Sequence, residues 1–381
     1  MVETQNFEIK GWCPSAYRPM RSGDGYILRL KPTMGVLSGA ALKKIAEIAG
    51  QYGNGVMEIT SRANLQLRGF DDESYLEALW LLKAEGHIHQ DEDIEAARNI
   101  ICDPSLPLYQ FETFYNTLLS VIAKLPNLPA KFGYGIGHID ALADIYFEPF
   151  LPDIPASSSS PSPALPLIKT WLMRANGAQK GMLVNEETLP TKLHLLIKWF
   201  LQTGGVVKGR GRMKDHIKTH PLPSAFMEKE STPLPQPPCL GQMQLVSASH
   251  QPPIWHIGVA YGMMKHDEAI MIAEQSDIIR FTPWRSLIIH AKTSNPPHWP
   301  ASIITSHKDK RRLLTICTGA PLCPQALGDT YKLADYVIKK PLKHSIHISG
   351  CAKYCASQKQ HDITLTATKE GYHLKRRSII C

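Results

Sequence analysis

The stretch Ile59-Thr60-Ser61-Arg62-Ala63-Asn64-Leu65-Gln66-Leu67 has a counterpart in Ile278-Ile279-Arg280-Phe281-Thr282-Pro283-Trp284-Arg285-Ser286-Leu287-Ile288-Ile289. Both start apolar, place a Thr and an Arg a few residues apart, and then turn apolar again. The sequence upstream of each is also alike. Before the first, Tyr26-Ile27-Leu28-Arg29-Leu30 reads as a strand and Lys31-Pro32-Thr33-Met34-Gly35 as a turn. A helix over residues 38–49 follows, with Leu42, Ile45 and Ala49 on one face and Ser38 as its cap. A second strand is expected over residues 56–67. Before the counterpart, residues 255–260 are strand-like, Gly262 marks a turn, and Asp267 could cap a helix through Ile270 and Ala273.

This pattern predicts a duplicated α+β chain, rich in α/β units. A Ser/Pro-rich run at about residues 149–166 cannot build a core and reads as a linker or exposed loop, and further Pro-rich stretches lie at residues 219–238 and 295–300. The three breaks divide the chain into about four ordered blocks. The second and fourth match more loosely. Asn99-Ile100-Ile101-Cys102-Asp103-Pro104 falls where Thr315-Ile316-Cys317-Thr318-Gly319 does, and residues 128–136 resemble residues 343–349. The glycines at 133, 135 and 137 do not form a dinucleotide fingerprint, because no Gly-x-Gly-x-x-Gly opens a helix there.

Only the last block carries paired cysteines. Cys317-x5-Cys323 is followed after 27 residues by Cys351-x3-Cys355. Four thiolates at such intervals suit a [4Fe–4S] cube, whose irons are held by four cysteines. A zinc knuckle uses shorter Cys-x2–4-Cys gaps, and zinc, buried thiols or disulfides stay as alternatives. Cys351 and Cys355, four apart, would share a face of one helical turn. Cys13, Cys102, Cys239 and Cys381 show no comparable pairing.

The chain has 381 residues, 43% of them hydrophobic, and no run of roughly 20 apolar residues for a membrane helix. Its start lacks a secretory pattern, and eight cysteines without one suit a reducing compartment; cytoplasm is expected. A net charge of +8 fits a solvated surface or an acidic ligand. The densest basic run, Lys208-Gly209-Arg210-Gly211-Arg212-Met213-Lys214, has no interleaved aromatics to stack bases, so nucleic acid is not expected as a partner.

Taken together, the residues resemble the siroheme nitrite/sulfite reductase superfamily, and within it the precorrin-3B synthase branch. The carriers are Gly11-Trp12-Cys13-Pro14, Arg18-Pro19-Met20, Ser22-Gly23-Asp24-Gly25, residues 60–69, Arg98-Asn99-Ile100, residues 128–132, Thr282-Pro283-Trp284-Arg285 and the cysteine quartet. Gly350-Cys351-Ala352-Lys353 follows the synthases, where the reductases usually have Gly-Cys-Pro-Asn. The reductases also usually carry two lysines where this chain has Lys131 and then Gly133. Tyr354 departs from the small residue usual in the synthases and would crowd the approach from cluster to pocket. The early C-terminus and the Ser/Pro insert depart too.

The resemblance implies a duplicated architecture of two ferredoxin-like half-domains (1–75 and 239–300) and two larger mixed α/β domains (76–225 and 301–381). Cys317, Cys323, Cys351 and Cys355 would bind a [4Fe–4S] cluster. The implied reaction is that of an oxidoreductase, a monooxygenase of aerobic cobalamin biosynthesis, converting precorrin-3A with O2 and NAD(P)H to a hydroxylated γ-lactone. An electron-donor protein is a further partner that the resemblance allows. A non-haem iron is also implied, although no set of two histidines and a carboxylate can be picked out. The alternatives are a siroheme-dependent nitrite or sulfite reductase and a cluster-bearing binding or scavenging protein without turnover. Precorrin carries many carboxylates, so its site should present Arg and Lys, which recognise carboxylates directionally. Arg29 and Arg68 are candidates, and Lys31, Arg62, Asn64, Gln66, Arg98 and Lys131 are the expected substrate residues. In a strand, Arg62, Asn64 and Gln66 would line one face, opposite Leu65 and Leu67.

Overall fold

The computed structural model describes residues 14–126, 128–150, 167–232, 240–243, 253–293, 297–356 and 361–377, with backbone alone at 241 and 242. Cys13, Cys239 and Cys381, most of the Ser/Pro linker and the last C-terminal residues lie outside them.

The two similar stretches are β-hairpins, not single strands. Val56–Ile59 and Leu65–Phe70 pair antiparallel, as do Ser276–Phe281 and Ser286–Ala291. The expected strand over 56–67 breaks because the backbone bends back at 60–64. The bends are alike in detail. The Thr60 amide donates to the Asn64 carbonyl (2.9 Å) and the Thr282 amide to the Ser286 carbonyl (3.1 Å). The Thr60 hydroxyl accepts the amides of Arg62 and Asn64, and the Thr282 hydroxyl those of Trp284 and Ser286. Ala63 and Arg285 both take left-handed backbone, at φ 55° and 56°. The register therefore equates Arg62 with Trp284 and Ala63 with Arg285, so the arginines of the two copies are not equivalent.

Each hairpin belongs to a sheet completed by a strand from the other half. The first sheet runs Met20–Ser22, Gly25–Leu30, Leu65–Phe70, Val56–Ile59, Met263–Lys265. The second runs Gly241–Met243, Ile254–Val259, Ser286–Ala291, Ser276–Phe281, Val36–Ser38, with Ile303–Ile304 beside Ile254–Val259. Each exchanged strand follows a tight turn with left-handed residues: Met34 and Gly35 in one, Tyr261 and Gly262 in the other. Helices Gly39–Tyr52 and His266–Glu274 come next and pack on each other. A Cβ at Gly39 would fall 2.1 Å from the Ser276 carbonyl oxygen, so only glycine allows that approach. Ser38 caps the first helix, its hydroxyl accepting the Ala41 amide at 3.1 Å. In the second, Lys265 is the cap residue and its amide donates to Glu268, so Asp267 sits inside the first turn. Leu42, Ile45, Ala46 and Ala49 meet Ala269, Ile272 and Ala273 in one core that spans both sheets. Burying each Leu or Ile contributes about 1.5–3 kcal/mol, which welds the halves together.

The larger sheets also match. In the first, Ile100–Cys102, Tyr134–Ile136 and Ile145–Pro149 are parallel and Trp171–Ala175 is antiparallel, followed by Lys180–Val184 and Lys229–Glu230. In the other, Leu314–Ile316, Ile346–Ser349 and Ile363–Thr368 are parallel and Gly371–Arg376 is antiparallel. The fold is thus the expected duplicated α+β architecture. Among the described residues no helix is long and apolar enough to cross a membrane.

Candidate functional site

Cys317 leaves the end of Leu314–Ile316, and Cys351 lies just past Ile346–Ser349. Adjacent parallel strands thus bring their C-terminal loops side by side. Residues 318–326 and 352–356 carry Cys323 and Cys355 back to the same place. Residues 351–355 form turns with Tyr354 left-handed at φ 51°, not the helical turn expected for that pair. All four cysteines line one cavity of about 490 Å3.

Small residues make the floor. A Cβ at Gly350 would come within 2.8 Å of Ala326 Cβ and 3.1 Å of Gly319 Cα, and the Gly350 amide donates to Cys317 Sγ at 3.0 Å. The Cys317 thiol is pulled down to about 6 by its contact with Cys355 and by the amides of Gly350 and Gly319, against its own burial. The Cys355 thiol is pushed up by the same contact. Four free thiols around one small-residue cradle, one held toward the thiolate by backbone amides, suit a [4Fe–4S] cluster, in which each thiolate takes a different iron. Among the described residues no three His, Cys, Asp or Glu meet closely enough to hold a single metal ion.

The other walls come from three places: Met20, Arg21, Ser22, Ile27 and Arg68 on the first half's sheet; residues 129–131; and residues 209–212. Apolar atoms cover most of the surface, and Arg21, Arg68, Lys131, Arg210, Arg212 and Lys353 supply the cations. Arg68 is 2% exposed. Its guanidinium donates to both Asp24 oxygens at 2.7 and 2.9 Å, with Glu58 at 3.4 Å. Burial opposes its charge, but Glu58 and Asp24 more than offset this and hold its pKa above the usual value.

Of the expected substrate residues, Lys131 lines the cavity. Arg62 sits in the hairpin bend, so it shares no strand face with Gln66. It donates to the Lys131 carbonyl at 2.8 Å and to Asn99 at 3.3 Å, which supports the Lys131 loop. Asn64 is buried in the same bend. Gln66 accepts from Arg29 and donates to Glu58 at 2.5 Å, on the same sheet face as Arg68. Arg98 is buried against Glu95 (2.7 Å) and donates to Thr33 and to the Lys31 carbonyl, while Lys31 donates to the carbonyls of Glu95 and Ala96. Lys31 and Arg98 thus tie the first strand to helix Glu92–Ala97. Tyr354 does not line the cavity; its hydroxyl accepts from Thr366 at 3.3 Å and its ring lies edge-on to His347. The expected crowding is absent because the left-handed backbone turns that side chain away.

Sequence reasoning missed Arg21, Arg210, Arg212 and Lys353. The signal for two of them was the basic run at 208–214, whose lack of aromatics excluded a stacking surface but left its target open.

Comparison with known proteins places this geometry. Residues 18–84 match the family model described as the nitrite/sulfite reductase ferredoxin-like half domain. The chain is 24% identical over 408 residues to a precorrin-3B synthase of Sinorhizobium sp, covering 96% of this chain and 82% of that protein. It is 23% identical over 413 residues to a ferredoxin–nitrite reductase of Synechococcus elongatus, covering 94% and 79%. Among solved structures, the Mycobacterium tuberculosis NirA protein aligns with a TM-score of 0.64 at 17% identity, over 90% of this chain and 71% of NirA. The likeness carried by the motifs therefore extends along nearly the whole chain, in sequence and in fold.

Proposed function

We propose that this chain, similar over nearly its whole length to proteins of the nitrite/sulfite reductase superfamily, is an oxidoreductase of the precorrin-3B synthase type. Its substrate would be precorrin-3A, oxidised by O2 with the electron pair of NAD(P)H. One oxygen atom enters the ring, the other leaves as water, and an acetate side chain closes to a γ-lactone. The observation that carries this reading is the cavity itself: four cysteines, apolar walls and cations from five separate segments. A planar macrocycle bearing carboxylates is complementary to such a surface.

Cys317, Cys323, Cys351 and Cys355 would hold a [4Fe–4S] cluster, which when bound supplies single electrons to the occupant of the cavity. The remaining work falls to the chain's own side chains. Met20, Ile27, Pro129 and Ala326 pack against the ring and exclude water. Arg21, Lys131 and Lys353 are exposed enough to meet carboxylates, and charge-assisted hydrogen bonds to them fix the ring's orientation. Arg68, paired with Asp24 and Glu58, is a charge-compensated part of the wall.

The siroheme reductase is the weaker reading, on one observation. The reductases' second lysine would stand at Gly133, where a Cβ would lie 3.0 Å from Arg62 Nη1 and from Asn99 Nδ2. Arg62 fills that place, and a side chain at 133 would displace it. The deciding experiment is a spectrum of anaerobically purified protein, followed by turnover of precorrin-3A. Broad iron–sulfur absorbance without siroheme bands, and O2 consumption that depends on precorrin-3A and NAD(P)H, are expected. Stoichiometric siroheme with nitrite or sulfite reduction would overturn the reading.

A further inference from the structure

We infer that the buried Asp144 carboxylate is a positioning residue that holds two basic loops, residues 129–131 and 209–212, against the cysteine-lined cavity as one wall for substrate carboxylates, with Arg210 as the contact on the second loop. The inference rests on the cavity being a site for an anionic tetrapyrrole.

Asp144 immediately precedes strand Ile145–Pro149 and is fully buried. Its Oδ1 accepts from Arg212 Nε and from the Met213 amide, each at 2.9 Å. Its Oδ2 accepts the Gly133 amide at 3.1 Å, and its own amide donates to the Gly133 carbonyl at 2.7 Å. One carboxylate thus touches the root of both loops, which are far apart in sequence. A buried carboxylate is costly unless paired and hydrogen-bonded, and these three donors are what keep this one in place.

The second loop is stiff. Val207 and Arg210 exchange amide–carbonyl hydrogen bonds at 2.8 and 3.0 Å, with Lys208 and Gly209 left-handed at φ 51° and 70°. Two left-handed residues closed by this single antiparallel bridge form a tight turn of the kind that joins hairpin strands. At its base, a Cβ on Gly211 would fall 1.9 Å from the Gly205 carbonyl oxygen, so the chain passes there only as glycine. Arg210 is therefore carried on a bridged turn whose root Asp144 anchors through Arg212. The basic run left unassigned by its lack of aromatics gains a target, since carboxylates need guanidinium and not stacking.

The test titrates full-length purified protein with uroporphyrin, an octacarboxylate, and coproporphyrin, a tetracarboxylate, following tryptophan fluorescence. Arg210→Ala should weaken uroporphyrin binding by about tenfold or more and coproporphyrin binding less. Asp144→Asn should do the same, and Arg210→Ala should cost little further in the Asp144→Asn background, because the contact is already misplaced. The preference for uroporphyrin over coproporphyrin is the decisive readout, since a merely structural loss would weaken both ligands alike. If Asp144→Asn does not fold, Arg212→Lys replaces it: the charge stays, the Nε donor is lost, and the same fall in preference is expected. Wild-type affinity for uroporphyrin in Arg210→Ala, or in whichever anchor variant folds, would overturn the inference while leaving the tetrapyrrole site standing, as would fully additive losses. No binding of either porphyrin by the wild type would overturn the tetrapyrrole reading and this inference with it.

Discussion

The sheet that begins at Ile100 and the sheet that begins at Leu314 share strand order and direction, yet their first loops end in different chemistry. At the end of the first strand of each, an amide donates to the neighbouring strand: Asp103 to the Ile136 carbonyl at 2.7 Å, and Cys317 to the Ile348 carbonyl at 3.1 Å. Asp103 therefore occupies the place of Cys317, and Cys102 that of Ile316. The Asp103 carboxylate turns back on its own loop, accepting from Ser105 amide and hydroxyl. Cys102 points into an apolar core, where burial pushes its thiol up. In the C-terminal copy Cys317, standing where Asp103 does, meets the Gly350 amide and a cavity. One scaffold thus offers the same loop position for a local cap or for a cavity-facing thiol, and the side chain chosen there sets which.

The largest expected effect tests that contrast directly. Replacing Cys317, Cys323, Cys351 or Cys355 by Ser should remove most iron and sulfide, measured per protein chain, whereas Cys102→Ser should retain them. Full retention in two quartet variants would erase the distinction between the copies.

A second contrast lies in core size. The N-terminal copy is built on Phe114, Phe147, Trp171 and Phe200, while the C-terminal copy buries Leu314, Ile316, Ala334, Ile346 and Ile348. Phe147→Ala should cost about 3–5 kcal/mol in denaturant unfolding, with the iron content of the folded fraction unchanged. Loss of iron in proportion would mean that the two copies are one cooperative unit.

His347 sharpens the comparison through pH. Its counterpart in the first copy is Gly135, where a Cβ would meet the Tyr146 ring at 2.7 Å. His347 is fully buried, and burial, with His361 and Arg285 nearby, lowers its pKa from 6.5 to about 4. The folded state thus keeps it neutral while the unfolded chain takes up a proton. Its contribution is complete above about 6.5 and is lost as pH falls toward 4. His347→Leu should remove roughly 2 kcal/mol of the stability lost between pH 7 and pH 5. An unchanged pH slope in urea melts would sink the idea.

The smallest effect concerns the cradle. Gly350→Ala should cost about 1 kcal/mol or slightly more, because the added methyl presses on Ala326 and Gly319, and should speed iron loss to a chelator. An equal rate of loss would show that the floor has room to spare.

Much of this was legible in the residue order. The apolar–Thr–apolar stretches marked the duplication, Ser38 marked a helix start, and the cysteine spacing marked the four residues that meet at the cavity. These signals are local, set by strand and helix periods and by short turns. The bend that separates Arg62 from Gln66 was not legible, because Ala63 carries none of the Gly or Asn that usually marks left-handed backbone.

Residue order therefore carries the repeated framework and the composition of its loops. The tertiary structure alone decided the exchange of Val36–Ser38 and Met263–Lys265 between sheets, the turning of Tyr354 away from the cavity, and the sorting of the cations. Lys31 and Arg98 bind nearby backbone and Glu95, while Arg21, Arg210 and Lys353 reach the cavity. An arginine in sequence carries no mark of its partner. Whether it pairs within the framework or faces a ligand depends on which distant carboxylates and carbonyls packing brings within hydrogen-bond reach.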